Sequence, residues 1–128
     1  MQKTILIVDD SATIRKLVRL VIESMGHHTI EASDGLEALS ILTHTRLDML
    51  ITNLNMPNLD GFQLIQQVRK KYHKQNLPIL ILSSEEEPEI VERGFNAGAN
   101  VYLYKPLIPW QLRQEMNKIF TQAKLGRD

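Results

Sequence analysis

The sequence predicts an α/β domain with a doubly wound parallel sheet that carries helices on both faces, and two patterns support this fold class. Five short apolar runs alternate with five amphipathic segments along the 128 residues, and such alternation is typical of parallel strands joined by crossover helices. Three of the runs lack polar alternation, as expected of strands covered on both faces. We therefore expect one domain of common size, with right-handed crossovers that leave few topologies.

The apolar runs, rich in Ile, Leu and Val, predict five buried strands of four or five residues. These strands cover residues 4–8, 28–32, 48–52, 78–82 and 101–104. The segments between and after them predict five helices over residues 11–26, 35–45, 62–72, 88–98 and 109–120. The fourth helix has Pro88 in its first turn and is expected to end at Gly98.

Each of four predicted helices repeats apolar residues at helical spacing, so that one face is expected to pack against the sheet. These residues are Ile14, Leu17, Val18, Val21 and Ile22 in the first helix, Leu36, Leu39 and Leu42 in the second, Leu64, Ile65 and Val68 in the third, and Leu112, Met116, Ile119 and Phe120 in the fifth. The domain is expected to cover residues 1–124, with residues 125–128 as a C-terminal tail or the start of a linker.

The composition excludes several classes of function. The 15 basic and 15 acidic residues give a formal net charge of zero, which argues against binding to nucleic acid or an acidic membrane by bulk charge. Cysteine is absent, so the chain has no thiolate chemistry and needs no oxidising compartment. The apolar stretch at the N-terminus is too short for a signal peptide or a membrane span. We expect a cytoplasmic protein.

Polar side chains follow four of the predicted strands, at the edge where doubly wound sheets bind their ligands. They are Asp9 and Asp10, Asn53 and Asn55, Ser83, and Lys105. Taken singly, the acids and Ser83 could cap helices, Asn53 could form a turn, and Lys105 could be a surface charge. Together, the carboxylates and loop carbonyls suit Mg²⁺, and the lysine and hydroxyl suit a phosphoryl group beside that ion.

Four short motifs in order resemble the receiver domain of two-component response regulators, the CheY-like family with a flavodoxin-like (βα)5 fold. They are "ILIVDDS" from residue 5, "ASDGLEAL" from residue 32, "NMPNLDG" from residue 55 and "AGANVYLYKP" from residue 97. Each motif is weak alone, but four at the spacing of the family make a chance match improbable. The resemblance covers residues 3 to about 121.

The resemblance implies a role for each matching residue. Asp9 and Asp10 match the acidic pair, with Asp10 the direct Mg²⁺ ligand, and Asn55 matches the residue whose backbone carbonyl also binds the metal. Ser83 and Lys105 match the residues that contact the phosphoryl group, and the bond from Lys105 to Pro106 is expected to be cis. Tyr102 matches the aromatic switch that turns inward on activation.

Asn53 departs from the family, because it stands where the aspartate that accepts the phosphoryl group is expected. A neutral carboxamide is a far weaker nucleophile than a carboxylate. Asp9, Asp10 and Lys105 sum to a charge of −1, where an aspartate at 53 would give −2, so Mg²⁺ is expected to bind more weakly. The adjacent Thr52 should point to the opposite face of the strand and is a poor substitute.

Two explanations of Asn53 remain open: a natural receiver that signals without phosphorylation, or a deliberate replacement that locks a receiver in its unphosphorylated form. Either way the resemblance implies a non-enzymatic protein with a histidine kinase or phosphotransfer protein and a downstream output protein or domain as partners. Trp110 and Arg113 are interface candidates, although Trp110 could instead pack against the sheet edge. The alternative function is a small Mg²⁺-dependent phosphohydrolase with Asp9 as nucleophile.

Overall fold

The computed structural model describes residues 2–73 and 76–125, with side chains as far as residue 121. Five strands form one parallel sheet in the order β2-β1-β3-β4-β5. The strands are β1 (Thr4–Val8), β2 (His28–Ala32), β3 (Met49–Thr52), β4 (Ile79–Ser83) and β5 (Val101–Tyr104). The helices are α1 (Ala12–Ser24), α2 (Gly35–His44), α3 (Gly61–Arg69), α4 (Pro88–Ala97) and α5 (Pro109–Leu125). The predicted doubly wound, flavodoxin-like (βα)5 fold is confirmed.

Alternate residues of the inner strands belong to two separate apolar clusters, one on each face of the sheet. In β4, Ile79 and Ile81 join α2, α3 and part of α4, whereas Leu80 and Leu82 join α1 and α5. Because both faces are covered, β4 is buried at every position, which explains why its sequence lacks polar alternation. The predicted buried strands β1, β3 and β4 are therefore confirmed, with the bounds of β3 and β4 moved by one residue. The edge strands β2 and β5 were also predicted to be buried but are only partly so, because each pairs with a neighbour on one side alone.

The predicted helix faces hold for α3 and α5 but fail in part in α1 and α2. Leu64, Ile65 and Val68 are all buried, whereas Leu17 of α1 is 45% exposed and Leu36 of α2 is 54% exposed. Leu17 and Leu36 each lie at the margin of an apolar stripe, where one step of 100° turns a side chain from the sheet to solvent.

The ends of α1 and α4 follow local chemistry. Ser11 caps α1 by accepting a hydrogen bond from the Ile14 N–H at 3.3 Å. Pro88 lies in the first turn of α4, and Gly98 follows its last residue with φ of 127°, as predicted. The predicted tail begins at Leu125, the last residue of α5, and residues 126–128 lie outside the described residues.

Two clusters away from the carboxyl edge fasten the loops. The half-buried Arg69 guanidinium donates to the carbonyl oxygens of Gly98, Tyr72 and Leu77 at 2.8–3.1 Å, and burial lowers the pKa of Arg69 to about 10. The Lys3 N–H donates to Nδ1 of His27 at 3.0 Å, and burial lowers the pKa of His27.

No helix in the described ranges is both long and apolar enough to cross a membrane.

Candidate functional site

The predicted site residues meet at the carboxyl edge of the sheet, beside the point where the strand order reverses between β1 and β3. Val8 pairs with Thr52, so Asp9 and Asn53 leave the sheet side by side, and the Asn53 N–H donates to the Val8 carbonyl oxygen at 2.9 Å. On the other side of β3, the Lys105 N–H donates to the Ser83 carbonyl oxygen at 2.8 Å.

Asp9 is buried, and both of its carboxylate oxygens have partners. Lys105 Nζ lies 3.0 Å from Oδ2, and Oδ1 accepts a hydrogen bond from the Ser11 N–H at 2.9 Å. Asp10, in contrast, is exposed. The geometry gives no support to a phosphohydrolase with Asp9 as nucleophile, because that carboxylate is 3% exposed and already engaged by an ammonium and an amide.

The Asn53 carboxamide is buried and hydrogen-bonded through both of its polar atoms. Oδ1 accepts from the Leu54 N–H at 2.8 Å, and Nδ2 donates to the Asn55 carbonyl oxygen at 3.0 Å. A carboxylate in this position could make the first bond but has no proton for the second. The Asn53 amide is therefore hydrogen-bonded to the same carbonyl oxygen that the family resemblance assigns to the metal.

Gly61 lets the start of α3 approach this loop closely. A Cβ atom at Gly61 would overlap the Asn53 carbonyl oxygen and lie 2.7 Å from Leu54 Cα, and both of those atoms belong to the backbone. Asp60 caps the helix in a reciprocal capping box with Gln63. Gly61 thus shapes this loop for a steric reason, because the close approach leaves no room for a side chain.

A chain of hydrogen bonds leads from Asn55 to the predicted switch residue Tyr102. Asn55 Nδ2 donates to Glu85 Oε1 at 3.2 Å, and the Glu85 N–H donates to Ser83 Oγ at 3.0 Å. The Tyr102 hydroxyl donates to the Glu85 carbonyl oxygen at 2.8 Å. Burial raises the pKa of Tyr102. The Tyr102 side chain is therefore hydrogen-bonded to the loop between β4 and α4.

Glu85 is the site residue that the sequence interpretation missed. The acidic run at 85–87 is read most simply as stabilising the N-terminus of a helix, yet the Glu85 side chain binds Asn55 instead. The capping position of α4 is Glu87, whose side chain makes no capping hydrogen bond. The available signal was spacing, because Glu85 follows Ser83 by two residues, as Asn55 follows Asn53.

The donor set fits Mg²⁺ only weakly. The ion would be held by the Asp9 and Asp10 carboxylates and the Asn55 carbonyl oxygen, with two negative charges from protein ligands. Among the described residues, no group of three or more His, Cys, Asp or Glu side chains is placed to hold a metal ion. Lys105 forms an ion pair with Asp9, and the Asn53 amide donates to the Asn55 carbonyl oxygen. Both contacts therefore compete with a metal ion for its ligands.

The interface candidates lie on a surface that runs along α4, β5 and α5, here called the α4–β5–α5 face. Trp110 is 59% exposed and Arg113 is exposed, so Trp110 lies mostly in solvent rather than against the sheet. The Tyr102 ring lies 6.4 Å from that of Phe95 and 5.5 Å from that of Tyr104. This face presents a strip of aromatic side chains that begins at the site.

The Lys105–Pro106 bond is cis, as the resemblance implied.

Comparisons with known proteins agree on one family. Residues 5–117 match the model of the response regulator receiver domain. The chain is 36% identical over 117 residues to chemotaxis protein CheY-3 of Vibrio cholerae serotype O1, covering 91% of this chain and 90% of that protein. It is 35% identical over 120 residues to chemotaxis protein CheY of Pseudomonas aeruginosa, covering 93% and 97%.

A solved structure gives the same result for the fold. The chemotaxis response regulator CheY4 of Vibrio cholerae superposes with a TM-score of 0.85 at 34% identity, covering 93% of this chain and 99% of that one. The match of the family model over most of the chain, the two curated relatives and this structure agree with the site geometry. The chain belongs to the response regulator receiver domain family.

Proposed function

We propose that this receiver domain works by protein–protein interaction and does not accept a phosphoryl group. The observation that carries the proposal is Asn53 at the acceptor position, with Oδ1 bound to the Leu54 N–H and Nδ2 bound to the Asn55 carbonyl. Formation of an acyl phosphate requires a carboxylate oxygen that attacks phosphorus. The carboxamide is neutral, and its oxygen is already a hydrogen-bond acceptor, so the first step of phosphoryl transfer has no nucleophile.

The rest of the site supports a receiver whose acceptor alone has changed. Asp9, Asp10, Ser83 and Lys105 remain at the carboxyl edge. A natural phosphorylation-independent receiver and a deliberately locked one lead to the same behaviour in solution. In both cases Mg²⁺ would add electrostatic stabilisation for the acids when bound, and the binding would be weaker than with an aspartate at 53.

Receiver domains of response regulators interact with histidine kinases and with output domains. We propose the same partner classes for this chain: a histidine kinase or phosphotransfer protein, and a downstream output protein or domain, met in the cytoplasm. The docking surface is the α4–β5–α5 face, where Trp110 and Arg113 are exposed and both residue types are common interface anchors. No catalytic, nucleic-acid or membrane role is needed.

A binding assay with and without phosphodonor tests this function. The immobilised chain is exposed to purified histidine kinases, phosphotransfer proteins and output proteins of its source organism, and affinity is measured before and after adding acetyl phosphate and Mg²⁺. We expect at least one partner whose Kd does not respond to the phosphodonor. Trp110→Ala should weaken that binding by at least about tenfold, and Arg113→Ala should weaken it to a smaller degree.

Leu36→Ala is the matched control, because Leu36 is a 54% exposed apolar residue on α2, which is not part of the α4–β5–α5 face. That variant should bind the same partner as the unmodified chain does. Binding that appears only after phosphodonor is added would contradict the proposed function. Equal affinities for the Trp110→Ala, Arg113→Ala and unmodified chains would show that the docking face is wrong.

A further inference from the structure

The hydrogen bond from Asn53 to the Asn55 carbonyl has a consequence for the regulation of the site, and this inference rests on the function proposed above. We propose that the Asn53 carboxamide takes the place of a cation at the Asn55 carbonyl and thereby holds the loop between β4 and α4, with Tyr102, in a phosphorylation-independent arrangement. Asn53 is then a positioning residue that stabilises one state of the domain rather than a merely inert substitute.

The first step is the chemistry of the Asn55 carbonyl oxygen. Its partner is the Asn53 amide nitrogen, 3.0 Å away. The N–H group carries a partial positive charge and so attracts the carbonyl oxygen in the same sense as Mg²⁺ would, though less strongly. Asn53 Oδ1 is held at the same time by the Leu54 N–H, so the orientation of the amide is fixed from both ends. With aspartate, an oxygen would face the carbonyl oxygen, and the contact would change from attraction to repulsion.

The second step carries the restraint from the β3–α3 loop to the β4–α4 loop. Because Asn53 fixes the backbone at Asn55, it also limits the directions that the Asn55 side chain can take. That side chain donates to the Glu85 carboxylate at 3.2 Å, and a bond to a charged acceptor is stronger than a neutral one. The two loops are therefore linked through one asparagine.

The third step carries the restraint to the docking face. The Glu85 backbone is held on one side by Ser83 Oγ and on the other by the Tyr102 hydroxyl. The Tyr102 ring lies against Phe95 of α4 and next to Tyr104 of β5. These bonds favour one arrangement of the loop without excluding others, because each contributes modestly to stability and the Asn55–Glu85 bond is exposed.

Amide hydrogen exchange and tyrosine ring signals test the proposal on the whole chain. Asn55→Ala keeps the backbone carbonyl that Asn53 binds but removes the link to Glu85. We expect the Glu85 amide to exchange about 3- to 10-fold faster, as for the loss of one weak hydrogen bond. The ¹³C signals of the Tyr102 ring, assigned with Tyr102→Phe, should shift, and its nuclear Overhauser effects to Phe95 should weaken.

Asn58→Gly is the matched control. Asn58 lies in the same loop, but its side chain donates to Asp34 rather than to Glu85, and glycine tolerates its φ of 70°. The control should leave Glu85 exchange and the Tyr102 signals unchanged.

Asn53→Asp tests the first link. In EDTA it should accelerate Glu85 exchange to at least the same degree as Asn55→Ala does, and Mg²⁺ should reverse that change. Mg²⁺ should leave the unmodified chain almost unaffected, because the amide already occupies the carbonyl.

The proposal would be overturned if Asn55→Ala left Glu85 exchange and the Tyr102 signals unchanged. If Asn53→Asp does not fold, the result for Asn55→Ala is sufficient by itself to support or overturn the proposal. An equal response to Mg²⁺ in the unmodified and Asn53→Asp chains would also overturn it. Neither result bears on whether the chain accepts a phosphoryl group, so failure of this inference is distinguishable from failure of the proposed function.

Discussion

Replacing Asn53 by aspartate is expected to destabilise the metal-free protein by about 2 kcal/mol. The variant loses the hydrogen bond from Nδ2 to the Asn55 carbonyl, which is 3.0 Å long, and a bond of this kind contributes about 1 kcal/mol. A carboxylate oxygen then faces the carbonyl oxygen at a position only 8% exposed, and an unsatisfied, partly buried acceptor costs about 1 kcal/mol more. The acceptor bond from the Leu54 N–H is kept, which limits the loss.

Urea unfolding followed by circular dichroism, in EDTA and in excess Mg²⁺, measures this change. For a domain of this size, about 2 kcal/mol corresponds to a fall in Tm of roughly 8 °C. Mg²⁺ should restore much of the stability of Asn53→Asp, because an ion that binds only the folded state stabilises it by mass action. The unmodified chain should gain less, since it offers one negative charge fewer.

Acidification provides an internal control. Once the new carboxyl of Asn53→Asp is protonated, its O–H can donate to the Asn55 carbonyl, so the difference in stability between the two chains should shrink as the pH falls. An apo variant as stable as the unmodified chain at neutral pH would refute the reasoning. The amide–carbonyl bond would then contribute nothing to the fold.

Three further changes test other parts of the structure. Gly61→Ala should cost about 3 kcal/mol in the free energy of unfolding, because the new Cβ meets the Asn53 backbone; an unchanged urea midpoint would show that the loop can move aside. Arg69→Lys should cost about 2 kcal/mol, because one ammonium cannot serve three carbonyls in different directions; thermal melts measure it, and an unchanged Tm would mean that the guanidinium is not needed. Stability should also fall as the pH drops below about 6.5, since burial lowers the pKa of His27 and the unfolded chain then binds a proton that the folded chain does not. His27→Asn keeps an acceptor for the Lys3 N–H and should remove this part of the pH dependence, and an identical pH profile would refute the assignment.

The fold could be predicted from the sequence because two strong signals agree along the chain. The nonalternating runs at β1, β3 and β4 reflect burial on both faces, and the helix signals at Ser11, Pro88 and Gly98 depend on local chemistry. The helix faces were predicted only in part. Leu17 and Leu36 were expected to pack against the sheet but are exposed, because periodicity gives the centre of an apolar stripe better than its margins.

The candidate site could be predicted as far as its residues share one sheet edge. Asp9, Asn53, Ser83 and Lys105 follow strands that end at the same level, so their convergence follows from topology. The links between loops could not be predicted in the same way. Backbone acceptors such as the carbonyl that Tyr102 binds carry no sequence signature, since every residue has one.

The dual behaviour of Asn53 also lies beyond sequence patterns. The sequence allows either a turn asparagine or a lost acceptor at this position. The structure combines both, since the Asn53 side chain binds backbone groups one and two residues further on. Asparagine favours such local bonds in turns. Only the three-dimensional structure shows that the second of these groups is the carbonyl that the family resemblance assigns to the metal.

The most direct test of the proposed function is intact-mass analysis after incubation with acetyl phosphate and Mg²⁺, made on the unmodified chain and on Asn53→Asp in parallel. We expect no phosphoryl adduct on the unmodified chain. Asn53→Asp should gain the mass of one phosphoryl group, mapped to position 53, because Asp9, Asp10, Ser83 and Lys105 remain in place around the restored carboxylate. A stable phosphoryl adduct at residue 53 of the unmodified chain, or no adduct on a folded Asn53→Asp variant, would contradict a receiver site that lacks only its acceptor.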